Sequence, residues 1–260
     1  MLVSVDSRLL LAALVIMFRL ATLLALAPVM DRRSVPIWWR LAAAVPLAWA
    51  LAPAAVTQMP DLPARLGWPM LVLEGMQSLV IGALLAFSIN LVIACVRFAG
   101  SLIGMQVGFA IVNAYDPHTN SQISIYGQLY YLLAVLLLFA LDAHLVLIRV
   151  LVTSVTVVPP FTVPDLTGGA LIVLRAYGDV FSLGLQIAAP VTLVLLLVSA
   201  TMGVIVKTAP QIHVLVVGFP VKIAVGMLAV SSALLMFRGI VERAIASSTD
   251  LMLQVLEAMA

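Results

Sequence analysis

The sequence predicts an all-α, polytopic membrane protein of about six long apolar helices, some of them broken, and three observations carry that reading. Of 260 residues, 64% are hydrophobic and 9% are charged, whereas an ordinary soluble domain carries roughly 25% charged residues. Six apolar stretches approach or exceed the about 20 residues that a helix needs to cross ~30 Å of hydrocarbon. Between them lie short polar or proline- and glycine-rich connections. Net charge is +2, so no basic excess points to nucleic acid.

The first stretch, residues 9 to 29, contains what a secretory leader would need: an apolar core from Leu9 to Phe18 and a small-x-small site at Ala25-Leu26-Ala27. Against cleavage, Arg19 interrupts the core and Asp6 offsets Arg8 where a leader should be positive. A retained first helix is expected. The second stretch, 41 to 58, follows DRRSVPIWWR and is interrupted by Pro46 and Pro53. DLPARLGWP then leads into the third, 72 to 96, which holds Glu74 and Asn90. Its Cys95 is the single cysteine, with no partner for a disulfide or a metal knot, and is read as a small packed hydrophobe.

A polar-tinted piece, 97 to 124, separates the third stretch from the fourth, 125 to 148, whose end is crowded by Asp142, His144 and then Arg149. VTVVPPFTVPDLTGG, 155 to 169, reads as a loop. The fifth stretch, 180 to 206, carries Gln186 and Pro190. KTAPQIHVLVVGFPVK, 207 to 222, then brings two lysines and two prolines into the start of the sixth, 214 to 237.

Orientation does not follow from Lys and Arg. If the six stretches alternate, one side collects Arg32, Arg33, Arg40, Arg97 and Lys207, and the other Arg8, Arg65, Arg149, Arg175, Arg238 and Arg243. An ionisable group at membrane depth costs about 2.5 to 3.5 kcal/mol and faces protein or water. The missing bias and the stranded polar groups therefore point to helices that pack against other protein chains.

Gly100, Gly104 and Gly108 recur every four residues and line one helix face. They allow close backbone approach, either within the chain or against partner helices around a pore. Next come Phe109, Ile111, Val112 and Tyr115, running into Asp116-Pro117, a pair that initiates a turn. An apolar loop tip here either plugs a channel by excluding water or anchors itself on a core. Catalytic patterns are missing: Tyr115-Asp116 and Ala176-Tyr177-Gly178-Asp179 lack the first glycine of an intramembrane aspartyl protease, and HExxH, GxSxG and phosphate loops are not found. His118, His144 and His213 have no metal-ligand spacing. No enzyme, cofactor or metal is expected.

Two runs carry a family resemblance: AGSLIGMQVGFAIVNAYDPHTNSQISIYGQLYYLLAVLLLFALDAHLVLIRVL, and LQIAAPVTLVLLLVSATMGVIVKTAPQIHVLVVGFPVKIAVGMLAV. They resemble the FliR family of flagellar biosynthesis and its relatives in virulence type III secretion. The resemblance is most specific from 99 to 235, and Asp116-Pro117 favours the flagellar branch. The family commonly has Asn-Gly-His where this chain has Asp142-Ala143-His144, and Asn at His213.

The resemblance implies a non-enzymatic subunit of the export gate in the bacterial inner membrane, at the flagellar basal body. It implies assembly with FliP-like and FliQ-like subunits into the entrance pore, neighbouring FlhB-like and FlhA-like export proteins, and passage of exported flagellar proteins. Residues 1 to 160 would form a FliP-like part, and 170 to 260 a FliQ-like hairpin with a C-terminal tail. Met105 to Asn120 would plug the closed pore, through Met105, Phe109, Val112, Tyr115 and Asp116. The bend of the hairpin, Lys207, Pro210, Gln211, Gly218, Pro220 and Lys222, would lie at the cytoplasmic end. The alternatives are a virulence-system homologue and a solitary six-helix secondary transporter.

Overall fold

A computed structural model describes residues 7–27, 36–59, 67–108, 124–208 and 214–260. All seven elements among them are helices: α1 (Ser7–Leu26), α2 (Ile37–Val56), α3 (Trp68–Val107), α4 (Ile125–Ala140), α5 (Ala143–Val157), α6 (Leu166–Thr208) and α7 (Val214–Met259). Five are long and apolar enough to cross a membrane, and α4 with α5 counts as a sixth if the broken pair forms one span.

Helix ends differ from the hydropathy reading for a physical reason. Hydropathy marks the part that lipid accepts, whereas a helix continues wherever its backbone bonds close and its side chains find partners. So α3 reaches Val107 instead of stopping near 96, α6 begins at Leu166 instead of 180, and α7 runs to Met259 instead of 237. At 40, 43 and 46 residues, these three helices are ~60 to 70 Å long, about twice the hydrocarbon thickness. Pro46, Pro53, Pro190 and Pro220 all lie inside helices rather than ending them; a proline at membrane depth is tolerated where neighbouring groups satisfy the freed carbonyl.

The fourth stretch is two helices. Leu141 N–H closes α4 on Leu137 O, and the chain then turns at Asp142, whose φ of 54° is left-handed. Aspartate is one of the few residues with a side chain that adopts this region readily. Its carbonyl accepts Leu145 N–H at 2.9 Å and opens α5. The expected loop 155 to 169 shrinks to 158–165, because Asp165 caps α6: its Oδ1 accepts Thr167 N–H at 3.0 Å and Gly168 N–H at 3.1 Å.

The chain forms two compact units. Unit 1 comprises 1–91, 142–177 and 245–260. Here α1 and α2 form an antiparallel pair, with Arg40 Nη1 donating to Ala25 O at 3.2 Å, and the small side chains Ala44, Ala48, Ala52 and Ala55 are buried. Along α3, Gly75 meets the Phe18 ring, Gly82 lies against Arg19 O and Thr22 Oγ1, and Asn90 donates to Leu26 O at 2.7 Å. The contacts ascend together, so α1 and α3 run parallel. At the other end of the sequence, Met259 O accepts Asp165 N–H at 3.0 Å, and Met259 and Val255 pack on Gly169.

Arg19 is the charged centre of unit 1. It is buried, and its Nη1 donates to Ser154 O at 2.7 Å and Ser154 Oγ at 3.1 Å, while Nη2 donates to Val158 O at 3.2 Å. These oxygens belong to the end of α5, where helix carbonyls lack partners and the dipole favours a cation. Buried Glu74 lies within electrostatic reach of Arg19 and accepts the N–H of Phe161, itself left-handed at φ 65°. Two opposite charges thus fix the two sides of the α5–α6 connection, one holding its carbonyls and the other an N–H.

Unit 2 comprises 92–141 and 178–244. It carries three aromatic contacts: buried Tyr130 meets buried Phe237 edge-on at 5.1 Å, half-buried Phe98 meets exposed Phe181 edge-on at 5.2 Å, and Arg97 lies 4.0 Å from the Tyr131 ring centre. Such pairs contribute roughly 0.5–1.5 kcal/mol beyond burial. The exposed Arg97 guanidinium lies over the Tyr131 π face, a cation–π contact.

Candidate functional site

The described members of the sites read from the sequence fall in unit 2, at the end of α3, the end of α6 and the start of α7. Gly100 and Gly104 place the α3 backbone directly against the start of α4. A Cβ at Gly100 would fall 2.6 Å from Gly127 Cα and 2.7 Å from Tyr126 O, and one at Gly104 would collide with Ser124 Oγ. Ser124 uses that closeness: its hydroxyl donates to Gly100 O at 3.3 Å and accepts Gly127 N–H at 3.3 Å, capping α4. Glycine is required on the α3 side, because a side chain at Gly100 or Gly104 would separate the helices, whereas on the α4 side a Cβ at Gly127 would find ordinary contacts, the nearest 3.4 Å away at Ser124.

Gly108 closes α3 differently. Its N–H bonds Met105 O at 3.2 Å, and its φ of 104° is open to glycine and costly for other residues. A Cβ there would meet the Phe219 ring at 2.9 Å. About two turns along α7, a Cβ at Gly226 would sit 3.0 Å from Val107. The exit of α3 and the entry of α7 are therefore packed on one another, which brings together two stretches that sequence reading treated as separate. The flanks of 109–123 are also fixed, since Gly104 and Ser124 touch.

Met105 is exposed on α3, whereas Phe109, Val112, Tyr115 and Asp116 lie outside the described residues, as do Pro210 and Gln211. Lys207 is exposed in the last turn of α6, where a cation complements the helix dipole. Gly218 is buried, Pro220 exposed and Lys222 half-buried on α7. Sequence reasoning missed the partners of these residues. Gly127 and Ser124 complete the glycine face, and the only signal for them was the polar start of an apolar stretch. The Arg19–Glu74 arrangement of unit 1 was also missed, because its members are scattered from residue 19 to 161.

This is packing and shape chemistry: backbones at contact distance, a glycine-controlled helix end, and aromatic rings around it. The model that describes bacterial export proteins, family 1, matches residues 10–248. The chain belongs to this family. Among its export-family relatives, the flagellar biosynthetic protein FliR of Pectobacterium carotovorum is 29% identical over 92% of this chain and 90% of its own. FliR of Escherichia coli K12 is 29% identical over 81% and 79%, and FliR of Bacillus subtilis 168 is 30% identical over 84% and 83%. The matched residues contain the α3–α4 contact, Gly108 and the start of α7, so the site lies within what the export family shares in extent.

Proposed function

We propose that this protein is a structural subunit of the flagellar type III export gate in the bacterial inner membrane, at the flagellar basal body. With FliP-like and FliQ-like subunits it forms the entrance pore for unfolded flagellar proteins, and it catalyses no reaction. The observation that carries the reading is the export-family match from residue 10 to 248, joined by FliR relatives that align over most of their length. Helices twice as long as a bilayer is thick, with exposed Leu171, Leu174, Phe181, Leu193 and Leu197 along α6, support assembly with other chains. The segment Met105 to Asn120 acts as the plug of the closed pore, through Met105, Phe109, Val112, Tyr115 and Asp116, and the α3–α4 contact anchors it. Residues 1–160 form the FliP-like part and 170–260 the FliQ-like hairpin. The turn bearing Lys207 and Lys222 faces the cytoplasm, where FlhB-like and FlhA-like proteins meet it.

Two experiments test this. Pull-down of the tagged full chain from detergent extracts recovers FliP-like and FliQ-like subunits; a monomer that binds a small solute contradicts the gate. Replacing Phe109, Val112 and Tyr115 together with serine raises ion conductance of the purified complex in planar bilayers. Unchanged conductance with the complex intact removes the plug but leaves the gate.

A further inference from the structure

We infer that the outer face of α2 is a lipid-contacting surface, and that the tryptophans mark where the bilayer crosses unit 1. The chain has four tryptophans, and all lie on α2 or at the first residue of α3. Each is exposed: Trp38 by 77%, Trp39 by 72%, Trp49 by 50% and Trp68 by 82%. In a water-facing helix the polar side chains point outward and the apolar ones inward. Helix α2 does the reverse. Its one charged side chain, Arg40, is buried on the carbonyl end of α1, and every exposed residue of the helix is apolar.

Three features select lipid as the occupant. First, α2 has 20 residues, which is ~30 Å of helix and matches the hydrocarbon thickness. Second, exposed tryptophans occupy both ends of the layer. Trp38 and Trp39 open α2 beside the end of α1, whereas Trp68 opens α3, which runs parallel to α1 and so begins toward α1's opposite end. An indole ring has an apolar body and one N–H donor, which suits the boundary between acyl chains and headgroups. Third, in sequence Arg32 and Arg33 precede the first pair and Arg65 precedes Trp68, and arginine beside tryptophan is the composition of an interfacial anchor. Apart from its indole N–H groups, the exposed face of α2 offers no side-chain donor or acceptor to a polar partner.

Quenching of tryptophan emission by brominated lipid tests this. The full chain, with whatever subunits accompany it through purification, is placed in phosphatidylcholine–phosphatidylglycerol vesicles. The phosphatidylcholine is brominated either high on its acyl chains or deep in them. Single-tryptophan proteins are made by replacing the other tryptophans with phenylalanine. Trp49 loses at least half its emission to the deep bromines and is spared by aqueous acrylamide. Trp68, and the Trp38–Trp39 pair kept together, are quenched more by the shallow bromines. Protection of Trp49 from both lipids means that a protein chain covers α2, and quenching of Trp49 by acrylamide means that water does; either overturns the inference. The unsubstituted protein, whose four indoles report together, keeps the test open if a variant fails to fold. Because the readout is lipid proximity, the inference fails or stands independently of export.

Discussion

A single side chain, Arg19, organises three segments of unit 1. Replacing Arg19 with methionine keeps bulk but leaves Ser154 O, Val158 O and Glu74 without their cation. Breaking a buried charge arrangement on one side costs about 3–5 kcal/mol, so R19M is expected to melt well below the unsubstituted protein in detergent, followed by circular dichroism. R19M with E74Q, which removes the stranded charge, recovers part of the loss. Equal melting of R19M and the parent would mean that the guanidinium contributes nothing. This cluster was illegible in the sequence. Arg19 reads as a flaw in an apolar run and Glu74 as an impurity at the start of another, and nothing in either neighbourhood announces Ser154. The glycines were half legible: a four-residue period showed the face, while its partners Ser124 and Gly127 appeared only in three dimensions.

At the level of elements, the break at Asp142 is controlled by backbone conformation. Its side chain makes no capping bond, so the residue is there for its tolerance of positive φ. Substitution by glycine is expected to leave stability unchanged or raise it, whereas valine, which resists the left-handed region, costs roughly 1–2 kcal/mol. Chemical unfolding of D142G and D142V separates the two outcomes, and equal stability would show that α4 and α5 can join without this turn. That each helix exists was legible from apolar runs. Their ends were not, because hydropathy reports the preference for lipid, and Gly168, Gly169 and residues 238–259 are helical through contacts with protein. The glycines at the start of α6 looked like loop residues and are there because the space of a side chain is taken, at Gly168 by Ala258 O and the Asp165 carboxylate and at Gly169 by Met259 and Val255.

Across the whole molecule, unit 1 is completed by the end of the chain. Met252, Val255, Leu256 and Met259 are buried, and Met259 O holds Asp165 N–H. Truncation after Ala244 is expected to abolish accumulation of protease-resistant protein, measured by limited proteolysis of membranes, while removal of Ala260 alone leaves it intact. A fully resistant truncation would place residues 245–260 outside the fold. The fold class was readable from composition because apolar surface this extensive has few solutions other than bundled helices. The division into units was not, since each is assembled from segments far apart in the chain.

The capping of α5 by Arg19 also has a consequence in time. The cation and its acceptors are 135 residues apart, and synthesis at ~5–20 residues per second separates their emergence by on the order of ten seconds. Glu74 arrives first and offers the charge a temporary companion. Until Ser154 follows, the newborn first helix carries a cation without its final acceptors, so it must wait within reach of water or of the insertion machinery. The order of manufacture is thereby written into the position of one arginine.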